Sequence, residues 1–351
     1  MQITFAPDKK LFRIALPSME YAFAVNSHGE LISLHWGAPM CSDDDYELLL
    51  PDLNTTWRPR GCNSGEYRFG APFDYAAPAV RVRFPDGSET LRLEYRSHEI
   101  TSDSLIVTLS DSFYGLDVKL IYKTYGDLPL IGRRAIIGNH TDGKVILRSA
   151  MSATLELPLG EDYRMTHFAG EWGAEYQPHR QMVAQGGILL ETNYLTDAAA
   201  HILPFFALDE GDADERRGDV WFGTLEWSGT HKITVERGVC GDVLVSAGVN
   251  SFDCRIRLKP GESYTTPKLL FGFTEGGFGG MSRMIHAFER RHVMSEIEAE
   301  RLMPVVCNAY GTYFGKINEE KILSLIEPAH ELGIEALIID AGWSGEGENY
   351  Q

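Results

Sequence analysis

The segment "VVCNAYGTYFGKINEEKILSLIEPAHELGIEALIID", residues 305–340, carries the clearest secondary-structure signals of this chain. Residues 305–308 form a short apolar run, which predicts a buried strand. A segment with helical spacing of its apolar residues follows, and residues 334–339 form a second apolar run. Strand, helix and strand within about 35 residues predict a βαβ unit with parallel strands.

Both ends of the predicted helix carry capping signals. Asn318 can cap the first turn, and Glu319 and Glu320 lie where the helix dipole favours anions. Gly333 supplies a C-terminal stop. Five apolar positions are predicted to form a buried stripe: Ile322, Leu325, Ile326, Ala329 and Leu332.

Polar and aromatic residues follow both predicted strands. Parallel strands covered by helices bind ligands just past their carboxyl ends, where Asn308 follows the first strand and Asp340 and Trp343 follow the second. An ionised aspartate accepts hydrogen bonds from hydroxyls, and an indole offers a flat apolar face to the C–H side of a sugar. These residues predict a monosaccharide site. From them alone, a helix-capping aspartate and a packing tryptophan remain alternatives.

Residues 1–275 have the alternation and turn signals of β structure. Residues 79–95, "AVRVRFPDGSETLRLEY", predict a hairpin in which Val80, Val82 and Phe84 share one face and the Asp86-Gly87 pair forms the turn. Further strands are predicted within residues 116–125, 133–140, 144–157, 219–227, 231–238, 242–249 and 254–264. Many short strands with regular turns predict a large antiparallel sandwich.

The pattern changes at residue 276. A glycine cluster is followed by Met281, Met284, Ile285 and Phe288 at helical spacing. We interpret residues 276–302 as a connecting helix between a β domain (1–275) and the βαβ domain (303–351). An edge helix of the sandwich itself is the alternative.

Composition excludes several classes of function. The 351 residues carry a net charge of −18, from 50 acidic and 32 basic residues, which disfavours nucleic acid and anionic membranes as partners. No apolar run is long enough to span a bilayer. The first residues lack the basic segment followed by an apolar segment that is typical of a secretory signal. The five cysteines are scattered, which argues against disulfides and a zinc site. We expect a cytoplasmic protein without a metal or cofactor.

Residues 304–322 and 331–345, "PVVCNAYGTYFGKINEEKI" and "ELGIEALIIDAGWSG", resemble the start of the catalytic barrel of glycoside hydrolase family 36, the α-galactosidase and melibiase group. In that family the first strand runs into Asn-Trp-Glu-Ala-Thr-Tyr-Phe, and the second ends in Asp-Asp-Gly-Trp. Upstream segments resemble the N-terminal β-supersandwich of the family in the same order: residues 21–37, 79–100, 150–158, 162–175, 203–208 and 271–288. The resemblance covers nearly the whole chain.

The resemblance implies a mainly β fold: a large antiparallel β-supersandwich followed by a truncated start of a (β/α)8 barrel. It also implies a retaining α-glycosidase that hydrolyses terminal α-linked galactose or a related sugar. Such enzymes use two catalytic carboxylates. In this family both come from later barrel strands, the nucleophile within a Lys-Trp-Asp motif that is absent here. We therefore expect the catalytic residues beyond Gln351, and we expect this chain to be a fragment without glycosidase activity of its own.

The resemblance also implies sugar-binding roles. Asp340 and Trp343 match the first aspartate and the tryptophan of Asp-Asp-Gly-Trp, and the aspartates of that motif hold hydroxyls near C4 and C6. The second aspartate is Ala341 here, while the tryptophan and glutamate after the first strand are Ala309 and Tyr310. These losses favour a substituted sugar such as 2-acetamido galactose, or another hexose, with Tyr310 as a replacement stacking surface.

Two further positions match family features. Within residues 57–72, Glu66 and Arg68 match the acid and arginine of a Gly-Asp-Phe-Arg motif that reaches a neighbouring subunit's site in a tetramer. A surface loop with a salt bridge is the equal alternative. Trp172 matches a family aromatic, for which we favour packing in the sandwich or an interface.

The sequence leaves two classes of function open. The first is the N-terminal part of an α-glycoside hydrolase acting on an oligosaccharide or glycoside, as a homotetramer by resemblance. The second is a carbohydrate-binding or oligomerisation module without catalysis, or an inactive homologue.

Overall fold

A computed structural model describes residues 1–40, 42, 45–49, 65–70, 77–193, 201–238, 241–252, 254–295 and 303–343. The chain forms two compact units, Met1–Ala287 and Phe288–Gln351. Within the described residues, no helix is both long enough and apolar enough to cross a membrane.

The first unit is built from β-strands. Its described strands are β1 Gln2–Ala6, β2 Leu11–Ala15, β3 Glu20–Val25, β4 Leu31–Gly37, β5 Val80–Arg83, β6 Glu94–Ile100, β7 Ser104–Asp111, β8 Leu116–Tyr125, β9 Leu128–Asn139, β10 Val145–Glu156, β11 Arg164–Glu171, β12 Ala174–Met182, β13 Ile188–Glu191, β14 Phe205–Asp209, β15 Val220–Leu225, β16 His231–Arg237, β17 Val243–Val249, β18 Ile256–Leu258, β19 Ser263–Thr265 and β20 Leu269–Thr274. A short helix, α1, spans Asp45–Leu49.

These strands form three antiparallel sheets. One has four strands in the order β1-β2-β3-β4. A second has ten, in the order β12-β11-β14-β15-β20-β9-β8-β7-β6, with β19 also paired to β9. The third has six, in the order β13-β16-β17-β10-β18, with β5 also paired to β10. The predicted antiparallel sandwich is confirmed.

The inward faces of the three sheets share one apolar core. Phe23 of the four-stranded sheet, Leu120 and Phe271 of the ten-stranded sheet and Val245 of the six-stranded sheet belong to it, and all four are fully buried. Alternation produces this arrangement because successive side chains of a strand point to opposite faces. Full burial of each such side chain stabilises the fold by roughly 1.5–3 kcal/mol.

The hairpin predicted over residues 79–95 is wrong, although its turn is present. Gly87 N donates to Phe84 O at 3.0 Å, and Gly87 has φ +88°, which favours glycine. However, β5 pairs with β10, and β6 pairs with β7 of another sheet. The turn thus carries the chain between two sheets. Alternation correctly predicts the buried face of Val80 and Val82, but it does not specify the pairing partner.

The helix predicted after residue 276 is present as α2, Gly277–Phe288, followed by a π-helical turn, Glu289–Val293. Phe278 N donates to Asp214 O and Gly279 N donates to Glu215 O, both at 2.9 Å. Residues 277–287 of the helix belong to the first unit. Most of the helix is therefore part of the first unit, and its last residue, Phe288, begins the second. The division into residues 1–275, 276–302 and 303–351 stays a prediction.

The second unit contains the predicted βαβ arrangement. Its elements are β21 Val306–Asn308, α3 Tyr310–Tyr313, α4 Glu319–Glu331 and β22 Ala336–Ile338. Strands β21 and β22 pair in parallel. The Asn318 side chain caps α4 by accepting from Lys321 N at 2.9 Å, and Gly333 follows the helix with φ +76°. Parallel strands and both helix caps are confirmed.

The buried stripe predicted for α4 is wrong. No residue of α4 is buried, and Ile326 is 52% exposed. Leu332, just after the helix, is 79% exposed. The reason is geometric, because the unit's described sheet has only two short strands. Such a sheet offers too little surface to cover an apolar helix face.

Candidate functional site

The two parallel strands of the second unit end side by side. Asn308 at the end of β21 is in register with Ile338 of β22. The side-chain amide of Asn308 donates a hydrogen bond of 2.7 Å to Oδ2 of Asp340. The structure therefore brings together two of the residues that the sequence predicts for a ligand site.

Backbone groups hold both side chains in place. Ala341 N donates to Asp340 Oδ1 at 2.7 Å, and Tyr310 N donates to Asn308 Oδ1 at 2.9 Å. The Asn308 amide, and then the Ala341 N–H, hold the pKa of Asp340 below its ordinary value. Asp340 is thus ionised at neutral pH. Since a carboxylate has about four acceptor positions, it retains capacity for ligand hydroxyls.

Aromatic surface lies in the same two connections. Trp343 follows Asp340 and is 73% exposed, while Tyr310 is 42% exposed and contacts Phe314 edge-on at 6.0 Å between centroids. Ala309 is fully buried, and its N–H donates to Ile338 O at 3.0 Å. Ala309 therefore offers no surface to a ligand.

A close contact at Gly342, which no sequence pattern predicts, shapes this turn. Gly342 has φ +106°, and a Cβ there would lie 2.1 Å from the carbonyl oxygen of Gly315. Only glycine allows this close approach between the chain after β22 and the chain after α3. The available signal was the glycine before Trp343. The contact fixes the backbone from which Trp343 projects.

Glu66 does not lie in a surface loop, and we correct that interpretation. It is fully buried, and its Oε1 lies 2.8 Å from Arg133 Nη1. Tyr21 and Tyr122 donate to its carboxylate at 2.7 Å, and Ser33 donates at 2.6 Å. A carboxylate saturated by buried donors has no room for a sugar hydroxyl, so Glu66 has a structural role here.

Arg68 is also buried, at 1% exposure, and its carbonyl accepts from Ala79 N at 2.8 Å. The surface-loop alternative is therefore wrong for Arg68 as well. Residues 57–64 and 71–72 of that predicted loop lie outside the described residues.

Trp172 projects from the connection between β11 and β12 and is 92% exposed. The prediction that Trp172 packs inside the sandwich is therefore wrong. Packing at an interface stays a prediction.

Comparisons with known proteins agree with this architecture. The profile of the glycosyl hydrolase family 36 N-terminal domain matches residues 29–259, and the melibiase profile matches residues 263–350. The two profiles together cover the β-sandwich and the parallel βαβ unit. This architecture, with acidic and aromatic residues at the strand ends, is that of the N-terminal half of a class of glycoside hydrolases. The chain belongs to glycosyl hydrolase family 36.

Individual relatives show the same relationship. Alpha-galactosidase Mel36A from Lactobacillus acidophilus is 27% identical over 98% of this chain and 50% of its own length. The crystal structure of alpha-galactosidase AgaB from Geobacillus stearothermophilus superposes with TM-score 0.89 and 26% identity, over 98% of this chain and 50% of that chain. A substituted AgaA from the same organism, in complex with raffinose, gives TM-score 0.89 and 27% identity, over 97% and 51% of the two chains. The chain spans about half the length of the curated relatives it matches.

Proposed function

We propose that this chain is the N-terminal portion of a retaining α-glycoside hydrolase that removes terminal α-linked galactose or a related sugar. The observation that carries the proposal is the hydrogen bond between Asn308 and Asp340 at the ends of two parallel strands, with Trp343 in the adjoining turn. The similar proteins are named alpha-galactosidases, and one of them binds raffinose.

The chemistry of the pair suits a monosaccharide. Asp340 offers acceptors to hydroxyls, and the second N–H of the Asn308 amide offers a donor. Trp343 and Tyr310 supply apolar faces for C–H groups. Polar and flat apolar surface in one place is what a pyranose ring requires, since the ring carries hydroxyls at its rim and C–H groups on its faces.

The second unit presents apolar surface that supports a larger barrel. Val305 and Ile339 flank the strands and are 58% and 47% exposed, and Ile326 is half-exposed on α4. In our proposal, further strands and helices of a (β/α)8 barrel cover these side chains and supply both catalytic carboxylates, about 5–5.5 Å apart as in retaining enzymes. Burial of exposed apolar surface provides the driving force for that completion.

Ala341 bears on the identity of the sugar. Replacement of a second aspartate by alanine removes one hydroxyl acceptor and frees space at the motif. We propose activity on 2-acetamido galactosides beside or instead of plain galactosides, as in an α-N-acetylgalactosaminidase.

A second candidate function is a carbohydrate-binding or oligomerisation module without catalysis. One observation favours an assembly role. Among the strands that the structure describes, β12 lies at one edge of the ten-stranded sheet. Its residues from Glu175 to Met182 are all exposed, and it adjoins the exposed Trp172. An open edge beside an aromatic side chain suits pairing with another copy of the chain. We propose a cytoplasmic homo-oligomer, tetrameric by family resemblance, and sedimentation velocity with Trp172→Ala tests the assembly.

Hydrolysis is tested with nitrophenyl α-glycosides on the complete gene product. Release of nitrophenol from the α-galactoside or the 2-acetamido galactoside, reduced in Asp340→Ala, supports the proposal. Absence of turnover on both sugars, combined with sugar binding measured by calorimetry, favours the binding module instead. A Lys-Trp-Asp motif on a fourth barrel strand in the complete reading frame separates the hydrolase from an inactive homologue.

A further inference from the structure

A cavity of about 350 Å³ in the first unit is lined by basic side chains. Its polar lining consists of Arg81, Arg83, Arg148, Arg255, Ser251 and Cys254. We call this cavity the arginine pocket. It is unexpected in a chain whose net charge is −18.

The register of the six-stranded sheet explains how these arginines meet. At Ile146, strand β10 lies between β5 and β18, because Ile146 pairs with Arg83 on one side and with Arg257 on the other. Arg81 and Arg83 alternate with the buried Val80 and Val82, so both point away from the core. Ile146 lines the pocket and contributes apolar surface to it.

Charges within the pocket are only partly compensated. Glu89 lies 2.8 Å from Arg148 and 3.8 Å from Arg81. Among the described residues, neither Arg83 nor Arg255 forms an ion pair with a carboxylate. Several guanidinium groups close together repel one another, and an anionic ligand relieves this repulsion.

We propose that the arginine pocket binds a small molecule with several negative charges of the phosphate-ester or pyrophosphate class. The planar guanidinium fork matches the oxygen geometry of phosphate and forms paired, charge-assisted hydrogen bonds with it. The cavity volume lies within the range of small-molecule sites. The proposal concerns a second ligand and does not depend on the proposed hydrolase activity.

Two other side chains complete the site. Ser251 adds a hydroxyl that can donate to an anionic oxygen. Cys254 has a half-buried free thiol, and its N–H donates to Ser251 O at 3.2 Å. Both residues lie between β17 and β18 in the chain. Because Cys254 lines the pocket, a bound ligand shields its sulfur, which makes this thiol a reporter of occupancy.

Titration calorimetry of the purified 351-residue chain with sodium pyrophosphate, at fixed ionic strength, tests the proposal. We expect one saturable site whose affinity falls about tenfold or more in Arg83→Gln and in Arg255→Gln, because each change removes charge-assisted hydrogen bonds. Arg216→Gln, a substitution at an exposed arginine outside the pocket, is the matched control and retains the affinity. Binding that all three variants retain equally, or no saturable binding, overturns the proposal.

A second readout uses the unsubstituted chain and so does not depend on whether the variants fold. Pyrophosphate is expected to slow alkylation of Cys254 by N-ethylmaleimide, followed by peptide mass spectrometry, without slowing alkylation of Cys307. Cys307 is a half-buried free thiol in the second unit and is not part of the pocket. Equal protection of both thiols overturns the proposal. In the calorimetry, tighter binding of citrate or of a poly-glutamate peptide than of pyrophosphate also overturns the proposal.

Discussion

Asn308 donates a 2.7 Å hydrogen bond to Asp340 from a strand that lies 32 residues earlier in the chain. The two side chains meet because β21 and β22 are adjacent and parallel, so their carboxyl ends lie at one edge. The amide keeps the pKa of Asp340 low. The pair is therefore a fixed anion with a fixed donor, an arrangement suited to binding hydroxyls over a wide pH range.

Asp340→Ala in the complete gene product is expected to lower kcat/KM on the preferred nitrophenyl α-glycoside by about a hundredfold or more. The reason is that a preorganised polar contact to the sugar is lost. Asp142→Ala, at an exposed aspartate of the first unit, is the control and leaves turnover unchanged. Unchanged turnover in Asp340→Ala would remove Asp340 from the site.

Ala341→Asp is expected to shift specificity toward the unsubstituted α-galactoside. An aspartate there restores the second acceptor of the family motif and fills space available to a bulkier substituent. We expect the ratio of kcat/KM for galactoside over 2-acetamido galactoside to rise about tenfold or more, because a hydrogen-bonding group discriminates strongly between such substrates. A ratio that stays constant, with folding verified by circular dichroism, contradicts the proposed role of Ala341.

Arg133→Met is expected to destabilise the first unit by about 3–5 kcal/mol, because it leaves the buried Glu66 carboxylate without its cation. The free energy of unfolding is measured by urea denaturation followed by tryptophan fluorescence. Arg96→Met is the matched control, at an arginine that is 45% exposed and 3.7 Å from Glu94. Its expected effect is below about 1 kcal/mol. Equal effects of the two substitutions would refute the structural role of the pair.

We expect the stability of the first unit to depend on pH through the buried His231. Burial lowers the pKa of this fully buried side chain below its ordinary value of 6.5. The unfolded chain therefore binds a proton that the folded chain does not. The contribution of the neutral His231 side chain to the free energy of unfolding is therefore fully present above about pH 6.5. It declines as the pH falls toward the pKa of His231 in the folded chain.

We expect the urea midpoint to fall from pH 7.5 to 5.5 by less in His231→Gln than in the unsubstituted chain. Part of the slope remains, because burial also lowers the pKa of His35 and His167. His28→Gln, at an exposed histidine, keeps the full slope. A steeper slope in His231→Gln would contradict a lowered pKa of His231 in the folded chain.

The 351-residue chain on its own is expected to release no nitrophenol from any nitrophenyl α-glycoside, since it contains no Lys-Trp-Asp motif. Binding of a sugar at the Asn308–Asp340 pair is measured separately, by nuclear magnetic resonance titration. Metal-independent turnover by the purified chain would place a catalytic carboxylate within these residues.

Much of the fold follows from local patterns. Alternation predicts the strands and their buried faces, and capping residues predict the bounds of α4, because both signals act over a few residues. Pairing partners depend on contacts distant in sequence. The turn at Gly87 illustrates the limit, because the sequence shows the turn but not that β5 and β6 join different sheets.

The candidate site divides in the same way. The sequence by itself determined that Asn308 ends one strand and that Asp340 follows the next. It also determined the parallel βαβ order and the resemblance that the family comparison confirms, because each of these signals lies in contiguous residues. Only the tertiary structure decided that Glu66 is buried beside Arg133, and that arginines from separate strands line one pocket. The physical reason is that burial and charge compensation depend on which strands become neighbours, and long-range packing sets that choice.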